Sequence, residues 1–304
     1  MSRLSSLAIG LVIIAVAACG TATPASPVSD GRIKVVTTTT ILADFVTQVG
    51  GDRVSVESLV PKGGEVHTFD PSPSDVRRIS EADVVFLNGL GLDDWLAALV
   101  ADAGSKAPVI ALGENLAGVQ YISGGEGGSA GVNPHLWLNP AYAAKYTAKI
   151  TDALVTASPA NEAALRAGGA AYITALEALN TELATRMASI PAANRTVVSF
   201  HDAFPYFAVA FGLTVDGTIV DAPGQDPSAA QIAALVTVIR TKGIRAIFAE
   251  AQFSEDLART IADETGATVV SNLYTDSTGD GSQGTYEGLM RWNIERVAAA
   301  LTRP

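Results

Sequence analysis

The sequence predicts an α/β protein of two similar lobes, each a parallel sheet flanked by helices, joined by one long helix. Three observations carry this expectation. β-Branched runs of strand length alternate with amphipathic helical stretches, an order that implies parallel strands covered on both faces. The alternation runs once through the first 112 residues and again, in the same order, after residue 194. Between the two lies an Ala-rich, helix-patterned stretch of different texture.

In the first half, IKVVTT at 33–38 reads as a strand and ILADFVTQVGG as an amphipathic helix. VSVESLV is the next strand, and PKGGEVHTFDPSPSD is a long loop. A helical stretch around 76–81 leads to the buried-type strand DVVFLNG, and a helix at 93–103 precedes the strand APVIAL. In the second half, RTVVSFH is a strand, AFPYFAVAFG a helix and LTVDGTIV a strand. The loop DAPGQDPS leads into the helix AAQIAALVTVIRTKG and the strand IRAIFAEA; SEDLARTIADETG is then a helix and ATVVSNLY a strand.

The middle stretch is helical from Pro140 through Ser158. Ser158 and Pro159 then offer a hydroxyl cap followed by Pro in the first turn. Leu165, Tyr172, Ile173, Leu176, Leu179 and Leu183 keep helical spacing towards Met187, and Pro191 ends the pattern. A helix of about 30 residues would measure roughly 45 Å, enough for a spine across both lobes. Gly168 and Gly169 predict a weak point in it, at about 1 kcal/mol per Gly relative to Ala.

The N-terminus reads as an address. Arg3 precedes an apolar run at 7–18 (LAIGLVIIAVAA), too short to span a bilayer but right for a signal-peptide core. Ala17 and Ala18 stand directly before Cys19, the single cysteine of the chain, and VAAC resembles a bacterial lipobox whose Cys is lipidated. Residues 1–18 are therefore expected to be a signal peptide and 19–31 a flexible Pro/Ser/Thr tether from a lipidated Cys19. The first lobe is expected over 32–157, the linking helix over 158–190 and the second lobe over 194–304.

Composition removes several functions. With 304 residues and 48% hydrophobic content the chain can bury large cores. A net charge of −11 argues against nucleic-acid binding, which normally shows a basic footprint. One Cys excludes a disulfide framework, a Cys-based zinc finger and an iron–sulfur centre. No GxxxxGK[ST] loop is present for ATP hydrolysis, and HExxH does not occur.

A transition metal would have to be held by His and carboxylate. The three histidines all fall in loops or strand ends: His67 in the Gly/Pro-rich loop, His135 between two prolines in VNPHLWLNP, and His201 at the carboxyl end of a strand. Ligands of open α/β sheets bind at that edge. Asp276 follows the last strand and is a fourth candidate. Three imidazoles and one carboxylate suit four-coordinate Zn²⁺ ahead of Mn²⁺ or Mg²⁺, which take more oxygen donors, while Cu²⁺ also accepts such nitrogens. Asp202 and Glu250 are candidates to support these ligands. Residues 276–287 (DSTGDGSQGTYE) partly match a calcium-loop template, but Thr stands at its third position and a strand precedes it.

The ordered set PKGGEVHTFDPSPSD, NPHLWLNP, VVSFHDAFPYFAVAFGL, FAEAQFSEDLARTIADETGA and LYTDSTGDG…TYEGLMRWNIERV closely resembles the zinc/manganese solute-binding proteins of ABC transporters, the ZnuA/TroA-like cluster A-I class. The resemblance implies a metal in the cleft between two lobes on a rigid linking helix. It also implies delivery to a membrane permease powered by a separate ATPase. By position His67, His135, His201 and Asp276 match the family's ligands, and His201 at the third place is the zinc-like variant. Many zinc members carry a His-rich loop before the second ligand; residues 121–133 are Gly-rich and lack His, so loop-based scavenging is not expected.

The leading expectation is thus a monomeric, non-enzymatic lipoprotein outside the cytoplasmic membrane that binds Zn²⁺ for uptake, with a Mn²⁺ or Fe²⁺ carrier as the alternative. A zinc hydrolase whose ion is held by three histidines and a water is the reading from another class, and requires Asp276 to stand beside the ion instead of on it. A surface adhesin is a third.

Overall fold

Two four-stranded parallel sheets carry the molecule, with the same strand order in each. The computed structural model describes residues 31–124 and 131–302. The expected signal segment, Cys19 and all but the last residue of the expected tether lie outside the described residues, as does 125–130 of the Gly-rich loop.

The first sheet is formed by β1 (Ile33–Thr37), β2 (Val54–Ser58), β3 (Val84–Leu87) and β4 (Val109–Ala111) in the order β2-β1-β3-β4. The second is formed by β5 (Thr196–Ser199), β6 (Thr214–Thr218), β7 (Ala246–Glu250) and β8 (Thr268–Leu273) in the order β6-β5-β7-β8. The helices between strands are α1 (Thr40–Gly50), α2 (Pro73–Ser80) and α3 (Trp95–Ala103) in the first half. The linking segment folds as α4 (Pro140–Ala157) and α5 (Glu162–Ala188). In the second half the helices between strands are α6 (Pro205–Phe211), α7 (Ala229–Lys242) and α8 (Asp256–Thr265), and α9 (Tyr286–Leu301) follows outside the repeated order. The order read from the sequence recurs element by element.

Three boundaries move, each for a local reason. α2 begins at Pro73, ahead of the expected 76, because Ser72 caps it and the Ser72 amide donates to Asp75 Oδ2 at 2.7 Å. α3 begins at Trp95, later than 93, because Asp93 is engaged elsewhere: its buried carboxylate accepts from Thr38 Oγ1 and from the amides of Asn88 and Gly89 at 2.7–2.8 Å. It thereby ties the carboxyl ends of β1 and β3. The linking helix starts after a short 3₁₀ turn at Pro159–Asn161 and runs unbroken for 27 residues, roughly 40 Å.

The expected weak point in α5 is a packing device. A Cβ on Gly168 would stand 2.2 Å from the carbonyl oxygen of Val49, and one on Gly169 would stand 2.1 Å from Thr151 Oγ1. The two glycines let α5 close onto α1 and α4. α5 also packs against α6 and α9 from the second half. One apolar core consequently runs from Val35, Phe45 and Tyr146 through Leu176 and Leu183 to Phe204, Phe248 and Ile294. Smaller clusters lie around Val85 and Leu96 in the first half and around Ile247 and Ile261 in the second.

Candidate metal centre

In each sheet the chain crosses over after its second strand, so a switch point falls between β1 and β3 and between β5 and β7. Loops from these carboxyl edges meet. His67 follows β2, His135 follows β4, His201 follows β5 and Asp276 follows β8. One ligand atom from each lies within 4.8 Å of all the others. Four residues separated by up to 209 positions are gathered into one cluster.

The distances suit a shared ion. Nε2 of His135 and of His201 are 3.4 Å apart, and Asp276 Oδ1 lies 3.6 Å from His135 Nε2. Asp276 Oδ2 lies 3.9 Å from His201 Nε2. Donors at about 2.1 Å around a tetrahedral ion are separated by about 3.4 Å, so the space between them is of ion size with little rearrangement. His135, His201 and Asp276 are buried, and His67 is only slightly more open, its side chain 8% accessible.

The partners of these donors set which atoms face the centre. Asn133 Oδ1 stands 3.1 Å from both the amide and Nδ1 of His135. Holding a proton on Nδ1 leaves Nε2 with its lone pair towards the cluster. His201 Nδ1 stands 3.0 Å from Glu250 Oε1, both side chains being inaccessible, and the same argument applies. Burial, followed by the neighbouring His201 and His67, holds the His135 imidazole well below its usual pKa, so it is neutral and ready to ligate. Burial raises the Glu250 carboxyl, and His201 beside it pulls the other way.

Of the two residues that the sequence offered as supports, Glu250 stands directly against His201. Asp202 touches Asn133, whose Nδ2 donates to the Asp202 carbonyl at 2.6 Å and to its Oδ2 at 3.1 Å. Asn133 thus stands between Asp202 and His135, and its contact with Asp202 joins the two halves.

Two residues escaped the sequence reading. Gln252 donates from Nε2 to Asp276 Oδ2 at 2.7 Å. Glu65 lies in the same loop as His67, accepts the His67 amide at 2.9 Å and stands 3.9 Å from His67 Nε2. Burial, reinforced by Asp276, lifts the Glu65 carboxyl to about 7. Its spacing of two from His67 was the available signal. Gln252 had none, because its reach to Asp276 depends on the adjacency of β7 and β8.

Other bonds draw the halves together beside the cluster. The Gly63 amide donates to Ser277 Oγ at 2.8 Å, the Thr278 amide to Thr40 Oγ1 at 2.8 Å, and Trp137 Nε1 to the Thr275 carbonyl at 2.6 Å. The calcium-loop reading of 276–287 fails here, since Asp276 points into the buried cluster while the Asp280 side chain is 98% exposed.

Comparison with known proteins agrees in kind. The profile of the family described as zinc-uptake complex component A, periplasmic, matches residues 35–300. The manganese-binding lipoprotein MntA of Halalkalibacterium halodurans is 29% identical over 300 residues, covering 98% of both chains. The manganese ABC transporter substrate-binding lipoprotein PsaA of Streptococcus pneumoniae is 29% identical, covering 94% of both. Among solved structures, the periplasmic zinc-binding protein TroA of Treponema pallidum superposes with a TM-score of 0.83 at 26% identity, over 90% of this chain and 100% of that one.

Proposed function

The chain belongs to the family of zinc-uptake complex component A, and from that membership we propose that it captures a divalent first-row ion, Zn²⁺ before others, at His67, His135, His201 and Asp276. It is a metal-binding substrate-binding protein of an ABC transporter, not an enzyme. The observation that carries the metal reading is the convergence of four donor atoms within 4.8 Å, three of the four residues being buried. Burying such a set without a cation leaves costly desolvated groups, which an ion compensates. Three nitrogens and one oxygen favour Zn²⁺ over ions that seek six oxygen-rich positions. Relatives named for manganese keep Mn²⁺ as the alternative cargo.

The protein works outside the cytoplasmic membrane, tethered through Cys19, and hands the ion to a permease with its own ATPase; the lipoprotein names of its relatives support this reading. Membership of a substrate-binding family speaks against the hydrolase reading, and the closeness of an Asp276 oxygen to the three histidines supports Asp276 as the fourth donor in place of a base beside an open position. Elemental analysis of the mature protein after competition among Zn²⁺, Mn²⁺, Fe²⁺ and Cu²⁺ tests the proposal. One equivalent of Zn²⁺, lost in His201→Ala, is expected; a wild-type protein that retains no divalent ion overturns it.

A further inference from the structure

Val209 on α6 is 63% exposed, the most of any large apolar side chain among the described residues. It lines a groove of about 550 Å³ together with Ile122, Pro205 and Val215. The charged groups that line this groove are both carboxylates, Asp202 and Asp221, and no Lys or Arg among the described residues lines it. Asp216, on the same strand as Val215, is matched by Lys242. The exposed Asp221 instead meets a neutral amide, Gln231 Nε2 at 2.8 Å. The groove also adjoins the metal cluster: Asp202 follows His201 in the chain and touches Asn133, which stands against His135.

We propose that this groove is the surface on which the membrane permease docks, through an apolar side chain seated on Val209 and Val215 beside a Lys or Arg that meets Asp221 and Asp202. The inference rests on the reading of the chain as a transporter's binding protein and adds the face that it presents. An exposed apolar floor with charge of one sign calls for a partner of apolar and cationic character. Anionic lipid headgroups would be repelled by the two carboxylates, so the occupant is protein and not the membrane surface. Handing over an ion also requires the permease to sit near the loops that hold it, and Asp202 belongs to one of them.

The test measures uptake of radioactive zinc by cells that lack this chain and are complemented with the full-length wild type or with Val209→Asp, Asp221→Lys or Asp221→Asn. Uptake should fall about tenfold or more in Val209→Asp and Asp221→Lys, and less in Asp221→Asn, which removes the charge without reversing it. The purified variants should bind Zn²⁺ with wild-type affinity, which places the loss at docking. Should Val209→Asp not fold, the two Asp221 variants carry the test. Wild-type uptake in both Val209→Asp and Asp221→Lys overturns the inference, and if Val209→Asp then abolishes self-association of the protein, the occupant is a second copy. Losses of uptake that merely follow equal losses of Zn²⁺ affinity overturn it as well. A wild type that restores no uptake removes the transporter reading itself, a distinct outcome.

Discussion

Glu250 Oε1 stands 3.0 Å from Nδ1 of His201, and neither side chain is accessible to solvent. The carboxylate ends β7 and the imidazole follows β5, so their meeting depends on the pairing of those two strands. An acceptor at Nδ1 fixes the tautomer and makes Nε2 a better donor. Glu250→Ala should therefore weaken Zn²⁺ binding about 10- to 100-fold while the far-ultraviolet circular dichroism stays native. Glu250→Gln, whose amide oxygen still accepts, should lose less. Calorimetric titration of the three proteins checks the ranking.

His135 is predicted to stay neutral in the metal-free protein well below pH 6.5, since burial opposes its charging and the other imidazoles add to that. A folded pKa below the unfolded one means stability is present above the unfolded value and lost as pH falls towards the folded one. Protonation of an ordinary imidazole would weaken metal binding as pH drops below about 6.5. At His135 that competition begins at more acid pH. Nitrogen-15 spectra of the labelled His135 ring at pH 6 should show one protonated nitrogen; two would contradict the reading.

Glu65 behaves in the opposite sense. Its carboxyl is raised from the usual 4.5 to about 7, by burial first and Asp276 second. The stability it contributes is complete below about pH 4.5 and disappears as pH rises through about 7. Glu65→Gln removes this titration and keeps an acceptor for the His67 amide. The metal-free variant should match the wild type near pH 4 and exceed it near pH 8 by on the order of 1–3 kcal/mol, read from urea unfolding at both pH values. Equal curves at pH 8 would sink the prediction.

Gly168→Ala is expected to destabilise the protein although Ala is the better helix former by about 1 kcal/mol. The new methyl would meet the Val49 carbonyl oxygen at 2.2 Å, and backbone on both sides leaves no flexible tip to give way. Overpacking of this kind costs about 1–3 kcal/mol. Thermal unfolding should show a lower melting temperature for the variant. A higher one, the direction that helix propensity alone would give, contradicts the packing account.

The strand and helix order was legible from the sequence because β-branched runs and 3.6-residue periodicity are local signals, and the repeat doubled each of them. The four clustered donors were legible because three histidines in one chain are few and all fell at strand ends or in loops. Support for those donors was legible only in part. Glu250 ends a strand and Asp202 adjoins His201, so both could be named, but that Asp202 contacts Asn133 was not visible in the sequence. Asp93 read as the start of a helix because nothing near it in sequence reveals Thr38, 55 residues away.

By itself, then, the sequence determined which segments would be strands and helices, and which side chains were chemically able to hold a cation. Tertiary structure alone decided how close those side chains come, which oxygen of Asp276 Gln252 occupies, and why two glycines belong in the long helix. The reason is range. Propensity and periodicity act over a few residues, while a hydrogen bond from Gln252 or a contact at Val49 exists only after distant segments have packed.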